Sequence, residues 1–226
     1  SEFTHFDTRA GDPDLHSHVL VSNKVQGTDG KWRALDGTPI FQMHQSMSAR
    51  YDVAVQDLLS REMGLEFEAH PRTAGAEPVW EVAGVDRRLL DGFSKRRVEA
   101  RSVYERLAAE HQARTGTSPS RRQGYALWQA AILETRDAKK PAESLADMRA
   151  TWRSEAEKMV GDAAVDSLGA QVRGQSVRPL FEPDEHVELV ADQAVERVVS
   201  KRARFRKSHL DTAVSAALKG YRFDTD

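Results

Sequence analysis

The stretch Phe3-Thr4-His5-Phe6-Asp7-Thr8-Arg9-Ala10-Gly11-Asp12-Pro13-Asp14-Leu15-His16-Ser17-His18 decides how the beginning of this chain folds. Apolar alternation on both sides of a turn-forming segment, Ala10 to Asp14, predicts a β-hairpin. His16 and His18 are two positions apart, so on a strand both imidazoles lie on one face. An antiparallel register that pairs His5 with His16 or His18 adds a third imidazole to that face, whereas pairing with Ser17 does not.

Three imidazoles on one face indicate a metal site. A lone His-x-His pair is common on exposed strands, and His5 is the residue that favours a site over chance. The chain has no cysteine, so any metal must be held by histidine, aspartate or glutamate. Neutral imidazoles with open positions suit Mn, Co, Ni or Zn, and binding should weaken below about pH 6.5 as imidazoles protonate.

The composition is that of a soluble globular protein. The 226 residues are 39% hydrophobic and 30% charged, with a net charge of -2, which excludes a low-complexity or strongly polyelectrolyte chain. No apolar run approaches the ~20 residues of a membrane span, and no secretion signal is visible. Together with the missing cysteines, this predicts a cytoplasmic protein.

Basic residues are clustered despite the near-neutral total. One cluster runs from Arg197 to Lys207 without an acidic residue, and the others comprise Lys95, Arg96, Arg97, Arg101, Arg121, Arg122, Arg136, Lys139 and Lys140. Each cluster could be a solvated helix face, but three in one chain favour a polyanionic partner.

The remaining pattern predicts an α+β fold, with an antiparallel sheet and flanking helices. Further strands are expected near residues 31–35, at Phe67 and at 79–82, and helices at 38–64, from 86 to 116, at 120–135 and at 142–160. Residues 161–183 are interpreted as a linker. Residues 184–226 are predicted to form a small helical segment, with helices near 184–200 and 209–219, the second capped by Ser208 and Asp211.

A longer pattern surrounds the histidines. After His18 come Asn23 and then Asp29-Gly30-Lys31-Trp32-Arg33-Ala34-Leu35. These segments closely resemble the three-histidine motif of conjugative relaxases of the MobF class, also described as TraI/TrwC-like. The likeness covers residues 3–160 and continues through Tyr51, Met63-Gly64, Trp80 to Val85, Phe93 to Arg97, Thr135 to Lys140, and Trp152.

The resemblance implies a partial HUH relaxase fold and a transesterase that nicks and rejoins single-stranded plasmid DNA at the origin of transfer. In that family three histidines hold a divalent ion on the scissile phosphate, and a tyrosine attacks to leave a 5′-phosphotyrosyl link. Carried over, His5, His16 and His18 would be the ligands of Mg, Mn, Ni or Zn. Asp7 stands where the family pattern has threonine, which leaves open a role beside His5.

The resemblance also implies that part of the enzyme is missing. The family's nucleophilic tyrosines and an acidic residue lie ahead of the histidine motif, so we expect this chain to be the C-terminal part of a relaxase domain and to be inactive alone. Residues 1–160 would belong to that domain, and 184–226 would begin the following, helicase-like region. No nucleophile is assigned to Tyr51, Tyr104, Tyr125 or Tyr221, and packing in the core is favoured for Tyr51.

The resemblance implies single-stranded DNA and the conjugation machinery as partners. The residues expected to contact phosphates are Arg9, Arg33, Lys95, Arg96, Arg97, Arg136, Lys139 and Lys140, with a solvated surface as the alternative for each. Trp32 would stack on a base or fill the core, and the core is favoured. The loss of N-terminal strands would uncover a sheet edge or an apolar face, so we also expect marginal stability or self-association.

Two rival functions stay open at this point. One is a non-catalytic metal- and DNA-binding module derived from a relaxase. The other is a metal hydrolase unrelated to conjugation, which needs a general base near the histidines; Asp7, Asp12 and Asp14 are the acids close in sequence.

Overall fold

The structure is a computed structural model that describes residues 1–70, 78–136, 141 and 143–224. In chain order its elements are β1 (Glu2–Asp7), β2 (Pro13–Val19), β3 (Lys24–Gln26), β4 (Trp32–Ala34), α1 (Thr38–Met63), β5 (Phe67–His70), β6 (Val79–Val82), α2 (Arg87–Gly92), α3 (Lys95–Thr115), α4 (Arg121–Glu134), α5 (Leu145–Val160), α6 (Asp162–Val172), α7 (Pro183–Val199) and α8 (Lys207–Leu218). The predicted α+β class is confirmed. Across these described ranges the strands form three separate two-stranded antiparallel sheets instead of one continuous sheet.

The chain divides into two compact units, and each is built from two separated stretches. The first unit contains Ser1–Val21 and Val85–Leu168, and the second contains Ser22–Gly84 and Gly169–Asp226. The domain boundaries expected from the sequence stay a prediction.

The first unit combines the β1–β2 hairpin with helices that pack through small side chains. Its buried apolar residues on α2 to α5 are Leu89, Ala100, Ala131 and Ala156. Helix α4 begins with a capping box, in which the Ser120 hydroxyl accepts from the Gln123 N–H while the Gln123 side chain bonds back to Ser120. Alanine at the contacts lets α3 and α4 approach closely.

The second unit has its apolar core between its last two helices. Ala194 and Val198 of α7 are almost fully buried against Ala213 of α8, and α8 also packs along α1. Helix α8 is capped differently from the prediction, since the Arg206 N–H donates to the imidazole Nδ1 of His209. The predicted Ser208 and Asp211 capping box is therefore wrong.

Helix α1 buries a polar face. Gln56, Asp57 and Ser60 are buried, whereas large apolar side chains of the same helix are exposed, namely Met43, Met47, Tyr51 and Leu58. The polar groups are satisfied: Gln56 accepts from the buried Arg178, Asp57 accepts from the Phe223 N–H, and the Ser60 hydroxyl donates to the Leu65 carbonyl. The core interpretation of Tyr51 is wrong, because this side chain is 69% exposed.

The segment interpreted as a linker, 161–183, is partly helical. Helix α6 occupies 162–172, because Asp162 opens a run of helix-forming residues before Gly174 ends it. The residues after α6 are then tied to the end of α1, since the N–H groups of Gln175 and Ser176 both donate to the Gly64 carbonyl. Across the described residues, every helix is too short or too polar to cross a membrane.

Candidate metal centre

The β1–β2 hairpin has the register that the histidine pattern requires. His5 pairs with His16, and Phe3 pairs with His18, in an antiparallel ladder. Because directly opposed residues share a face, His5, His16 and His18 all lie on one side of the hairpin. The predicted register is confirmed.

The three imidazoles converge into one cluster. Ring centroids are 5.4 Å apart for His5 and His16, 4.7 Å for His5 and His18, and 4.9 Å for His16 and His18. One nitrogen from each ring lies within 4.8 Å of the other two. His5 and His18 are exposed and His16 is half-buried, so the cluster is open to solvent and to a large ligand.

The His16 ring is oriented by its own strand. Its Nδ1 lies 2.9 Å from the Asp14 carbonyl oxygen and 3.5 Å from the Asp14 carboxylate. A neutral ring therefore donates its Nδ1 proton to Asp14 and leaves Nε2 as the free lone pair. A hydrogen bond on the far nitrogen is the usual way in which proteins fix the tautomer of a metal-binding histidine.

Asp7 does not support the histidines directly. The strand register shifts between His5 and Asp7, and Asp7 pairs with Pro13. Its carboxylate forms no hydrogen bond with the three rings within the described residues. The irregularity explains this, because a shifted register breaks the simple alternation that would put Asp7 beside His5.

The donor set fits a divalent transition metal. Imidazole nitrogens bound to such an ion at about 2.0–2.1 Å lie roughly 3.3 Å apart in a tetrahedral site. The present spread of up to 4.8 Å can be closed by rotation of exposed rings about their side-chain torsions. Three ligands leave further positions for water or an oxygen ligand.

The turn between the metal-site strands is anchored to two helices. The Asp12 carboxylate is almost completely buried and accepts from the backbone N–H of Lys95, the first residue of α3. The Trp152 indole N–H on α5 donates to the Gly11 carbonyl at 2.7 Å, at a point where Gly11 has a φ of 83°. Asp12 thus supplies the helix cap that the Ser94 side chain does not supply.

A partly buried ion-pair network reinforces this anchor. The Lys95 ammonium lies 2.7 Å from a Glu155 carboxylate oxygen and 3.6 Å from Asp12. The hydrogen bond to Glu155 is the main cause that raises the pKa of Lys95, and burial opposes it. Lys95 is therefore occupied with holding the fold together, so it is a weaker candidate for DNA contact than its neighbours.

The β3–β4 hairpin presents an aromatic and basic surface. Trp32 is 66% exposed, so the expectation that it fills the core is wrong. It lines an open cleft of about 710 Å³ with Lys24 and Arg33. The Arg33 guanidinium binds both oxygens of Asp29, and this contact lowers the pKa of the Asp29 carboxyl.

The other basic residues expected at DNA have different surroundings. Arg9 is exposed and already has an interaction partner, and Arg136 is exposed beyond the end of α4. Arg96 is half-buried and Arg97 is exposed in the first turn of α3, and neither is paired with an acidic group in the part of the chain that the structure describes. Lys139 and Lys140 lie outside the described residues.

Sequence reasoning missed the Asp12, Lys95 and Glu155 network. The place of Asp12 in the turn beside the histidines explains its residue type but not its burial. A helix cap supplied by a residue 83 positions away in sequence has no local signature. The sequence shows only an acidic residue in a turn and a basic residue at a helix start, and neither signals the contact between them.

The fold and the histidine cluster define the class of this chain: an α+β protein whose β-hairpin gathers three histidines on one face. The sequence profile of the TrwC relaxase family matches residues 1–159. The chain therefore belongs to the TrwC relaxase family, as its motifs indicated. No curated protein sequence matches it significantly.

Solved structures agree with this membership. The complex of TrwC with a 27-mer DNA that comprises the recognition hairpin and the cleavage site is 29% identical, with a TM-score of 0.51, and the match covers 71% of this chain and 52% of that one. The metal-free and metal-bound complexes of the conjugative relaxase TrwC with OriT DNA are 29% and 28% identical, both with TM-scores of 0.51 and 71% coverage of this chain. The match spans about half the length of these relatives, 51% and 50%.

Proposed function

We propose that this chain supplies the metal-binding part of a conjugative relaxase, which cleaves and rejoins single-stranded plasmid DNA at an origin of transfer. The observation that carries the proposal is the convergence of His5, His16 and His18 on one face of the β1–β2 hairpin. Its support from relatives is the TrwC family membership and the DNA-bound, metal-bound TrwC structure of similar fold.

The chain's own residues would hold and orient a divalent ion. His16 is pre-oriented through Asp14, and His5 and His18 lie opposite and beside it on the same two strands. When an ion is bound, it would neutralise charge on a phosphate oxygen and polarise the phosphorus. Phosphoryl transfer depends mainly on positioning and charge stabilisation, so an open site with three nitrogen ligands is suited to it.

The nucleophile is proposed to come from outside these 226 residues. Tyr104 is packed edge-on against Trp128, and Tyr221 is packed against Phe181 and His186, so both are engaged in ring contacts. Tyr51 and Tyr125 are exposed on helices α1 and α4. The His186 ring lies 4.8 Å from the Tyr221 ring, but among the described residues none of the four tyrosine hydroxyls forms a hydrogen bond with a base that could activate it.

DNA binding is proposed to use basic and aromatic side chains that are at least partly exposed. Arg96, Arg97 and Arg136 can neutralise phosphates, and the exposed Trp32 can stack on a base. Arg9 would add positive charge in the turn of the β1–β2 hairpin, and Arg33 would add it on the β3–β4 hairpin. Binding that rests on few phosphate contacts should be weak and should fall steeply with salt.

The test is metal-dependent binding of single-stranded DNA. Fluorescence anisotropy with a labelled oligonucleotide of mixed sequence should show binding that strengthens with Mn²⁺ and returns to the metal-free value with EDTA or with His16→Ala. A gel assay of the same mixtures should show no cleavage. Binding that ignores both the metal and His16→Ala would contradict the proposal. A second adverse result is a chain that still cleaves DNA after all four tyrosines are changed to Phe and loses this cleavage with His16→Ala. That result would overturn the proposal that the nucleophile comes from outside these 226 residues.

A further inference from the structure

A cavity of about 410 Å³ lies in the first unit, between the turn that follows β1 and the helices α3 and α4. We call it the α3–α4 cavity, and its lining includes Thr8, Phe93, Arg96, Arg97, Trp128 and Ile132. Its volume falls within the roughly 300–1,000 Å³ typical of small-molecule sites. The proposed function uses Arg96 and Arg97 from this lining but gives no role to its aromatic and aliphatic residues.

The cavity has an aromatic and aliphatic interior. The Trp128 indole is held edge-on against Tyr104, with ring centroids 5.8 Å apart. Phe93 and Ile132 are half-buried, so their side chains form walls that stay partly accessible. An apolar lining that includes an indole suits a planar ring, because stacking two rings buries a large contact area without ordering flexible groups.

The charges around the cavity select for an anionic ligand. Arg96 and Arg97 lie on the first turn of α3 and have no acidic partner within the described ranges. The one carboxylate in the lining, Asp12, is buried and offset by the Lys95 N–H and ammonium. Two available guanidiniums beside an aromatic slot therefore match a planar base attached to phosphates.

The cavity is close along the chain to the histidine cluster. Thr8 lines the cavity and is three residues after His5, which spans no more than about 11 Å even in fully extended chain. A nucleotide held in the cavity would thus be within one or two nucleotides of a phosphate held at the histidines. This links the cavity to the DNA strand that the proposed function requires.

We propose that the α3–α4 cavity receives one base of single-stranded DNA, stacked on Trp128, with Arg96 and Arg97 binding the adjoining phosphates. This proposal rests on the proposed function, since it places the base on the same strand as the scissile phosphate. In this proposal Trp128 stacks on the base, and the two arginines bind phosphates of the same strand.

The test compares normal single-stranded DNA with an abasic strand of the same length. We expect Trp128→Leu to weaken binding of the normal strand by about five-fold or more, as loss of one stacked base does, and to leave binding of the abasic strand unchanged. Trp128→Phe should regain most of the lost affinity, because it keeps an aromatic ring.

Arg96→Gln combined with Arg97→Gln should weaken binding of both strands and reduce the salt dependence by roughly one to two counterions. Arg114→Gln, at the far end of α3, is the matched control and should behave as wild type.

The outcomes separate this proposal from the function on which it rests. If the wild type binds both strands equally, or if Trp128→Leu binds the normal strand as tightly as the wild type, the base site is wrong while metal-dependent DNA binding stands. If the wild type binds no single-stranded DNA, both proposals are overturned. The double arginine variant keeps the test decisive should Trp128→Leu fold poorly, because wild-type affinity and salt dependence in that variant would also overturn the site.

Discussion

At the scale of single residues, the orientation of His16 shows how a short motif builds its own support. Asp14 is the second residue of β2, and its carbonyl accepts the Nδ1 proton of His16 two residues later. The Asp-x-His spacing therefore fixes the tautomer of His16 from within the same strand. The strand register and the clustering of the three histidines were predictable for this reason, because the information lies within sixteen consecutive positions.

Burial of individual aromatic residues was not predictable in the same way. Trp32 and Tyr51 are apolar positions in regular patterns, and both are largely exposed. The helical period places Tyr51 on a face, but it cannot say whether that face is covered. In α1 the covered face is polar, because Arg178 is available to pair with Gln56 and Glu66.

Gly64 is a position where a side chain should not be tolerated. It ends α1 with a φ of 65°, and a Cβ there would lie 2.5 Å from the Gly174 backbone nitrogen. We expect Gly64→Ala to lower the free energy of unfolding by more than about 1 kcal/mol, since positive φ and a backbone clash act together. Gly169→Ala is the matched control, because it meets open space within α6 and should be neutral or slightly stabilising. Urea denaturation of both variants measures the difference; equal midpoints would contradict the strain.

Asp86 should make stability depend on acid. Its carboxylate caps α2 and binds Arg88, and the side-chain bond from Arg88 is the main cause that lowers its pKa from 3.8 to about 2. A carboxyl whose pKa is lower in the folded than in the unfolded protein stabilises the fold at pH values above the unfolded-state pKa. This stabilisation is lost as the pH falls through the folded-state pKa. The wild type should therefore lose more thermal stability than Asp86→Ala between about pH 4 and pH 2. An equal fall in melting temperature for the two proteins across that pH interval would contradict the stabilising contribution of Asp86.

At the scale of elements, the β1–β2 turn is coupled to α3 and α5. Asp12 caps α3, and Trp152 of α5 bonds to Gly11. The strands and helices themselves were predictable from turn residues, caps and periodicity. This coupling was not, because it joins positions 83 and 141 residues apart and no pattern within one element signals it.

Removal of the Asp12 carboxylate should loosen the β1–β2 hairpin. Asp12→Ala removes the cap of α3 and leaves Lys95 without one of its two anionic neighbours, so we expect a loss of about 1–2 kcal/mol in unfolding free energy. Asp12→Asn should retain most of that stability, since an amide oxygen can still accept from the Lys95 N–H. Glu105→Ala, an exposed carboxylate on the same helix, should cause little change. Hydrogen exchange of β1 and β2 in the three variants is the readout, and unchanged protection in Asp12→Ala would contradict the coupling.

At the scale of the whole molecule, large apolar side chains remain on the surface. Leu15 is 74% exposed on the hairpin and Phe41 is 78% exposed on α1. Contiguous apolar patches often mark a surface that binds a partner, whereas single exposed apolar side chains are common. The sequence was sufficient to predict membership in the TrwC family and the α+β class. It was not sufficient to predict two compact units that are each built from two separated stretches, because contacts between distant stretches leave no local pattern.

We expect these surfaces to cause self-association at high protein concentration. Light scattering should show a mass that rises with concentration, and Leu15→Lys should reduce the rise, because it adds charge on the hairpin face opposite His16 and His18. Lysine in place of the exposed Phe41 tests the α1 surface separately. A monomer at every concentration, combined with a high melting temperature, would contradict the expectation.

The most direct test of the central claim is calorimetric titration of the chain with Mn²⁺ or Ni²⁺. We predict uptake of one ion per chain, weakened at least about ten-fold by each of His5→Ala, His16→Ala and His18→Ala. His44→Ala, which removes an exposed imidazole of α1, should titrate as wild type. Absence of uptake, or uptake that is unaffected by removal of His5, would contradict a metal site built from three histidines of the β1–β2 hairpin.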